Sequence, residues 1–154
     1  MKRLNLLFCS LLLAGCTVQN QARYMISPAG ASVAAQREAA AADKDNVKEI
    51  LQTAAKSLRL NDMTASSLVP NTLVYFQQID SNTPVKLIAW TEGGKILIDL
   101  AHWPDTIGET LSYRSAREYI ESELKKRFGD RSSVVAFRSL AGRPSNSQGV
   151  AEKH

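Results

Sequence analysis

The chain has 154 residues, 44% of them hydrophobic and 22% charged, with a net charge of +4, two cysteines and two histidines. That is one domain's length of ordinary globular composition, which excludes collagen-like, mucin-like and wholly disordered classes. So few cysteines and histidines leave little material for a disulfide scaffold or a zinc cluster.

The N-terminus opens with Lys2-Arg3 and an apolar run from Leu4 to Leu13. As a helix this run covers about 15 Å, roughly half of what a bilayer-spanning helix needs. A basic start, a short apolar stretch and small residues form the pattern of a cleaved export signal. Leu13-Ala14-Gly15-Cys16 resembles the lipobox of bacterial lipoproteins: a branched aliphatic, two small residues and a cysteine whose thiol takes a diacylglycerol thioether. The resemblance is confined to the first twenty or so residues. It implies a signal peptide over 1–15, cleavage before Cys16, lipidation of Cys16 and fatty acylation, such as with palmitate, of the new amino group. In Gram-negative lipoproteins an aspartate after the cysteine favours the inner membrane. Thr17 stands here, so the resemblance implies an outer-membrane anchor with the protein on the periplasmic face. Removal of the signal takes Lys2, Arg3 and Cys9 with it, which lowers the net charge by two and leaves no free thiol. The weak basic excess that remains is no argument for nucleic acid as a partner, and an exported domain without disulfides is held by packing alone.

From Thr17 to Lys44 the chain holds nine alanines and few bulky apolar residues. Residues 16–44 therefore read as a lipidated, Ala/Gln-rich tether, with Ser32 to Ala42 able to become helical because alanine is the best helix former. Val47, Ile50, Leu51, Ala54, Ala55 and Leu58 then mark one face of a helix, with Asp45 as its N-cap. Thr72 to Ile79 reads as a first strand, Asp80 to Pro84 as a turn and Val85 to Thr91 as a second strand. Glu92-Gly93-Gly94-Lys95 is a hairpin signal, since a two-residue type I′ loop needs positive φ at both central positions. That turn pairs Val85 with His102 and Trp90 with Leu97. It puts Val85, Leu87, Ala89, Thr91, Ile96, Ile98 and Leu100 on a core face, and Lys86, Ile88, Trp90, Leu97 and Asp99 on the other.

A second helix follows over about Ser112 to Phe128, with Ala116, Tyr119, Ile120, Leu124 and Phe128 on one stripe and Gly129 at its stop. Its other face carries Arg114, Arg117, Glu118, Glu121, Lys125 and Lys126, with a Glu121–Lys125 pair at i, i+4. Ser133 to Ser139 reads as a fourth strand, and 141–154 as a disordered tail. The expected domain is thus residues 45–140, an α+β two-layer sandwich of order α-β-β-β-α-β, with a mainly antiparallel four-stranded sheet and two helices on one face. Its first five elements follow the order of double-stranded-RNA-binding domains, but none of that family's signature residues is present.

Two constellations are candidates for function. Ile88, Trp90 and Leu97 cluster on the face away from the expected core. The first strand adds to them either Val74 and Phe76 or Leu73 and Tyr75, with Phe76 taken into the candidate interaction face. Contiguous exposed apolar surface of this kind marks a docking site; cover by another part of the same chain is the alternative. The second candidate is His102 with Asp99, Trp103 and Asp105, where a carboxylate-oriented histidine could act as general base on Ser112 or Ser115. No nucleophile-elbow glycine pattern or oxyanion loop accompanies it. The run Lys125-Lys126-Arg127 complements a helix C-terminus, with contact to acidic lipid as its alternative role. No cofactor, metal or nucleic acid is expected. The expected function is an outer-membrane-anchored interaction or assembly module for another envelope protein, with an envelope hydrolase using His102, or a lipid- or cell-wall-binding module, as alternatives.

Overall fold

A computed structural model of the chain describes residues 20–30, 32–78, 84–103 and 109–139. The expected signal, Cys16, Asp105 and the expected tail 141–154 lie outside them. The regular elements are β1 (Asn20–Ile26), α1 (Val33–Ser57), β2 (Asn61–Asp62), β3 (Thr72–Gln77), β4 (Val85–Glu92), β5 (Lys95–His102), α2 (Leu111–Phe128) and β6 (Ser132–Ser139). The strands form one antiparallel sheet in the order β2-β3-β4-β5-β1-β6.

The α+β class holds, and the sheet has six strands rather than four. The largest difference is β1, which arises from residues expected to form a tether. Asn20, Ala22, Tyr24 and Ile26 are all buried while Gln21, Arg23 and Met25 are half-buried, the period-2 pattern of a strand with one face on a core. Between β5 and β6, this segment has ladder partners on both sides, from Asn20 opposite His102 to Ile26 opposite Ile96 on one of them. The tether is further shortened by α1, which is N-capped by Ser32 rather than Asp45; the Ser32 hydroxyl accepts from the Ala35 N–H at 3.3 Å. Asp45 lies inside this 25-residue helix, where the alanine run favours continuation of the helix.

The Gly93-Gly94 turn sets the β4–β5 register as expected, with φ of 57° and 78° at the two glycines and Val85 opposite His102. Leu87, Ala89, Ile98 and Leu100 are completely buried beneath the helices. Both helices lie on this one face. Val47, Ile50, Leu51, Ala54 and Leu58 of α1 meet Tyr113, Ala116, Ile120, Leu124 and Phe128 of α2 in a single core with the inward residues of β1, β3, β4 and β5. Each large side chain buried there contributes about 1.5–3 kcal/mol by leaving water.

Polar ties fix the layers at their margins. The Arg131 guanidinium donates to both carboxylate oxygens of Asp43 at 2.7 and 3.0 Å and to the Ser27 carbonyl at 3.3 Å, joining the start of β6 to α1 and to the β1–α1 connection. Arg127 bridges the helices through Glu49 at 2.8 Å. Glu121 makes no expected pair with Lys125, which binds Asp130 at 2.9 Å. Instead Glu121 turns inward, accepting from Arg117 and from the Tyr24 hydroxyl, each at 3.1 Å. Burial, reinforced by that carboxylate, pushes the Tyr24 phenol far above its usual pKa. Arg117 continues the network to the largely buried Glu109 at 3.2 Å.

Candidate functional site

Because α1 and α2 cover one face of the sheet, the character of the opposite face decides what the domain can engage. Strand alternation sends Met25 of β1, Leu97 of β5, Ile88 and Trp90 of β4 and Tyr75 of β3 to that side. Ladder pairing makes them contiguous: Met25 stands opposite Leu97, Leu97 opposite Trp90, and Ile88 opposite Tyr75. Ile88 is only 3% exposed, enclosed by its neighbours, whereas Met25, Tyr75, Trp90 and Leu97 are half-buried. A row of apolar side chains thus crosses four adjacent strands with much of its surface accessible among the described residues.

The expected participation of Phe76 is corrected. It lies opposite Leu87, is 6% exposed and belongs to the helix-covered core. The pairing of β3 with β4 sets this parity: Tyr75 stands opposite Ile88 and takes the place on the open face.

Charged groups frame the apolar row without breaking it. Asp99 accepts from both Gln21 (2.8 and 2.9 Å) and Arg23 (3.1 Å), neighbours on β1 that point to the same face. The Lys86 ammonium, on the same face, sits over the Tyr75 ring at 5.4 Å. The Arg23 guanidinium likewise lies 5.9 Å from the centre of the Trp90 ring. Both aromatic rings of the face are thus bordered by positive charge.

The catalytic alternative does not assemble. His102 and Asp99 occupy opposite faces of β5, so the carboxylate cannot orient the imidazole. His102 is 1% exposed, stacks on Tyr113 with ring centroids 5.0 Å apart, and receives the Asn20 side-chain amide at 3.5 Å. Burial lowers its pKa, only partly countered by the Glu109 carboxylate. Ser112 and Ser115 are exposed on α2, and the Ser112 hydroxyl approaches Thr110 rather than the histidine. The neutral His102 ring acts here as a packed core group.

No protein-family model, curated protein or solved structure matches the chain.

Sequence reading missed a groove of about 560 Å³ at the hairpin end of the sheet. It lies between the β1–α1 connection (Ser27, Pro28), the first turns of α1 (Gln36, Ala40), the Val69-Pro70 loop and the β4–β5 turn. Leu68, beside this groove, is 98% exposed. The groove requires α1 to begin ten or more residues before Asp45, which the helix-forming alanines of Ser32 to Ala42 allowed, and the segment before it to be a strand, of which the sequence reading found no sign. Among the described residues no helix is long and apolar enough to cross a membrane, and no cluster of three or more His, Cys, Asp or Glu could hold a metal.

Proposed function

We propose that the protein is a lipid-anchored interaction module of the bacterial cell envelope, held at the outer membrane through Cys16, which docks another envelope protein on its open sheet face. The observation that supports this reading is the contiguity of Met25, Leu97, Trp90, Ile88 and Tyr75 across four strands, on the face that the helices leave uncovered. A solvated sheet face would alternate to polar residues at these positions, and an aromatic-centred patch rimmed by Arg23 and Lys86 has the composition of an interface core with a polar rim. The partner is a folded protein presenting an apolar ridge flanked by acidic groups that meet Arg23 and Lys86. The lipobox residues Leu13 to Cys16 supply the anchor and the compartment.

The test is complementation of a deletion strain by the full-length gene. Trp90→Glu leaves the domain folded and the protein in membranes, because the side chain is half-exposed, and abolishes function. His102→Gln retains it. Full activity of a folded Trp90→Glu protein overturns the docking face; loss of activity in a folded His102→Gln protein restores the hydrolase.

A further inference from the structure

The ladders define two ends of the sheet. Asn20, His102 and Val85 lie side by side at one end, with Lys86 opposite Gln77 and Gln77 opposite Asn61 continuing it across β3 and β2. The β4–β5 turn and the α1 N-terminus occupy the other, about 23 Å away for seven residues of strand. β1 enters the sheet at the first end, only four residues after Cys16. Whatever path those residues take, they reach at most about 14 Å.

From this we infer that the domain stands on the membrane surface by its Asn20 end, with lipid headgroups as the partner of the side chains there. The inference rests on the proposal that Cys16 carries the lipid. The groups at that end suit a headgroup layer. Lys56 and Arg59, at the C-terminal end of α1, are exposed and have no ion-pair partner among the described residues. Leu111, the first residue of α2, is 80% exposed, and Trp103 is half-buried just beyond β5, its backbone N–H donating to the Pro84 carbonyl at 3.1 Å. Unpaired cations meet phosphate, while tryptophan and leucine enter the interfacial layer. The basic run Lys125-Lys126-Arg127, a sequence candidate for the same role, is at the opposite end and engages Asp130, Glu123 and Glu49. In this pose the strands run away from the bilayer, and the Trp90 face stands to the side, open to a partner that sits beside the domain rather than beneath it.

The orientation is tested with the full-length protein, processed in cells, purified and reconstituted into phosphatidylethanolamine–phosphatidylglycerol vesicles that contain a nitroxide-headgroup lipid. Arg59→Cys, Leu111→Cys and Lys95→Cys each carry one fluorophore, and mass spectrometry reads the lipid on Cys16. The expected result is several-fold stronger quenching at 59 and 111 than at 95. Equal quenching at the three positions, or stronger quenching at 95, on a chain that carries the lipid overturns the orientation alone. A chain without lipid on Cys16 overturns the anchor and the orientation with it.

Discussion

His102 lies nearly flat against Tyr113, ring centroids 5.0 Å apart and planes within 18°, and this contact makes the only histidine among the described residues a packing group. Burial holds its pKa below the usual 6.5. As pH falls through that value, the unfolded chain takes up the proton before the native state does, so stability is full above about pH 6.5 and is lost progressively below it. Thermal melts between pH 7.5 and 5 are expected to show this decline. His102→Gln removes the slope in that range while lowering stability at pH 7.5 by about 1 kcal/mol through loss of the stacked ring. An unchanged slope in the variant contradicts the assignment.

The position of β1 makes a second expectation sharp. Ala22 is fully buried between β5 and β6, so Ala22→Asp introduces an unpaired charge into the core. A cost of about 3 kcal/mol or more is expected, seen as loss of cooperative unfolding. Chemical denaturation in which the variant matches the parent would return residues 20–26 to the role of a tether.

What was legible before the structure and what was not divide along the range of the interactions involved. Gly93-Gly94 announces its turn locally, and once the turn is set, the pairing of β4 with β5 and the sorting of their faces follow by counting. The spacing of Val47 through Leu58 and of Ala116 through Phe128 likewise encodes both helix faces. β1 was hidden for two reasons. Its inward positions include the small Ala22 and the polar Asn20, which weaken the alternation that Tyr24 and Ile26 carry, and its partners are 70 to 82 residues away in β5 and further still in β6. β2, at two residues, is too short to leave a pattern. The inward turn of Glu121 depends on Tyr24 lying beneath it, which follows only once β1 is in the sheet. Of the candidate face, Ile88, Trp90 and Leu97 were readable from the hairpin, while the choice between Phe76 and Tyr75 depended on the register of β3 against β4, which no two-residue turn fixes.

The Arg131–Asp43 pair offers a measure of how firmly β6 is joined to α1. The guanidinium and carboxylate meet through two hydrogen bonds and are largely removed from solvent. Asp43→Ala is expected to cost about 1–3 kcal/mol. Because Arg131 also holds the Ser27 carbonyl, Arg131→Ala should cost at least as much, and a double-mutant cycle by urea titration should give a coupling above about 0.5 kcal/mol. Additive losses would show that the two residues act separately.

Tyr24→Phe probes the inward polar network. The hydroxyl donates to Glu121, which Arg117 also satisfies, so the carboxylate keeps a charged partner in the variant. A loss of about 1 kcal/mol is expected by denaturant titration, against several for Tyr24→Ala, which also removes a fully packed ring. A Tyr24→Phe variant as stable as the parent would remove the hydrogen bond from the account of how α2 is placed on β1.

The docking face is tested most directly by site-specific photocrosslinking in intact cells. A benzophenone side chain at position 90 or 97 of the full-length protein is expected to capture one and the same envelope protein, and the adduct should vanish when Ile88 on the same face is replaced by glutamate in a chain that still folds. The same probe at Ser122, exposed on α2, should capture nothing of that size. Capture of the partner from position 122, with none from 90 or 97, would place the interaction on the helical layer and contradict the docking face.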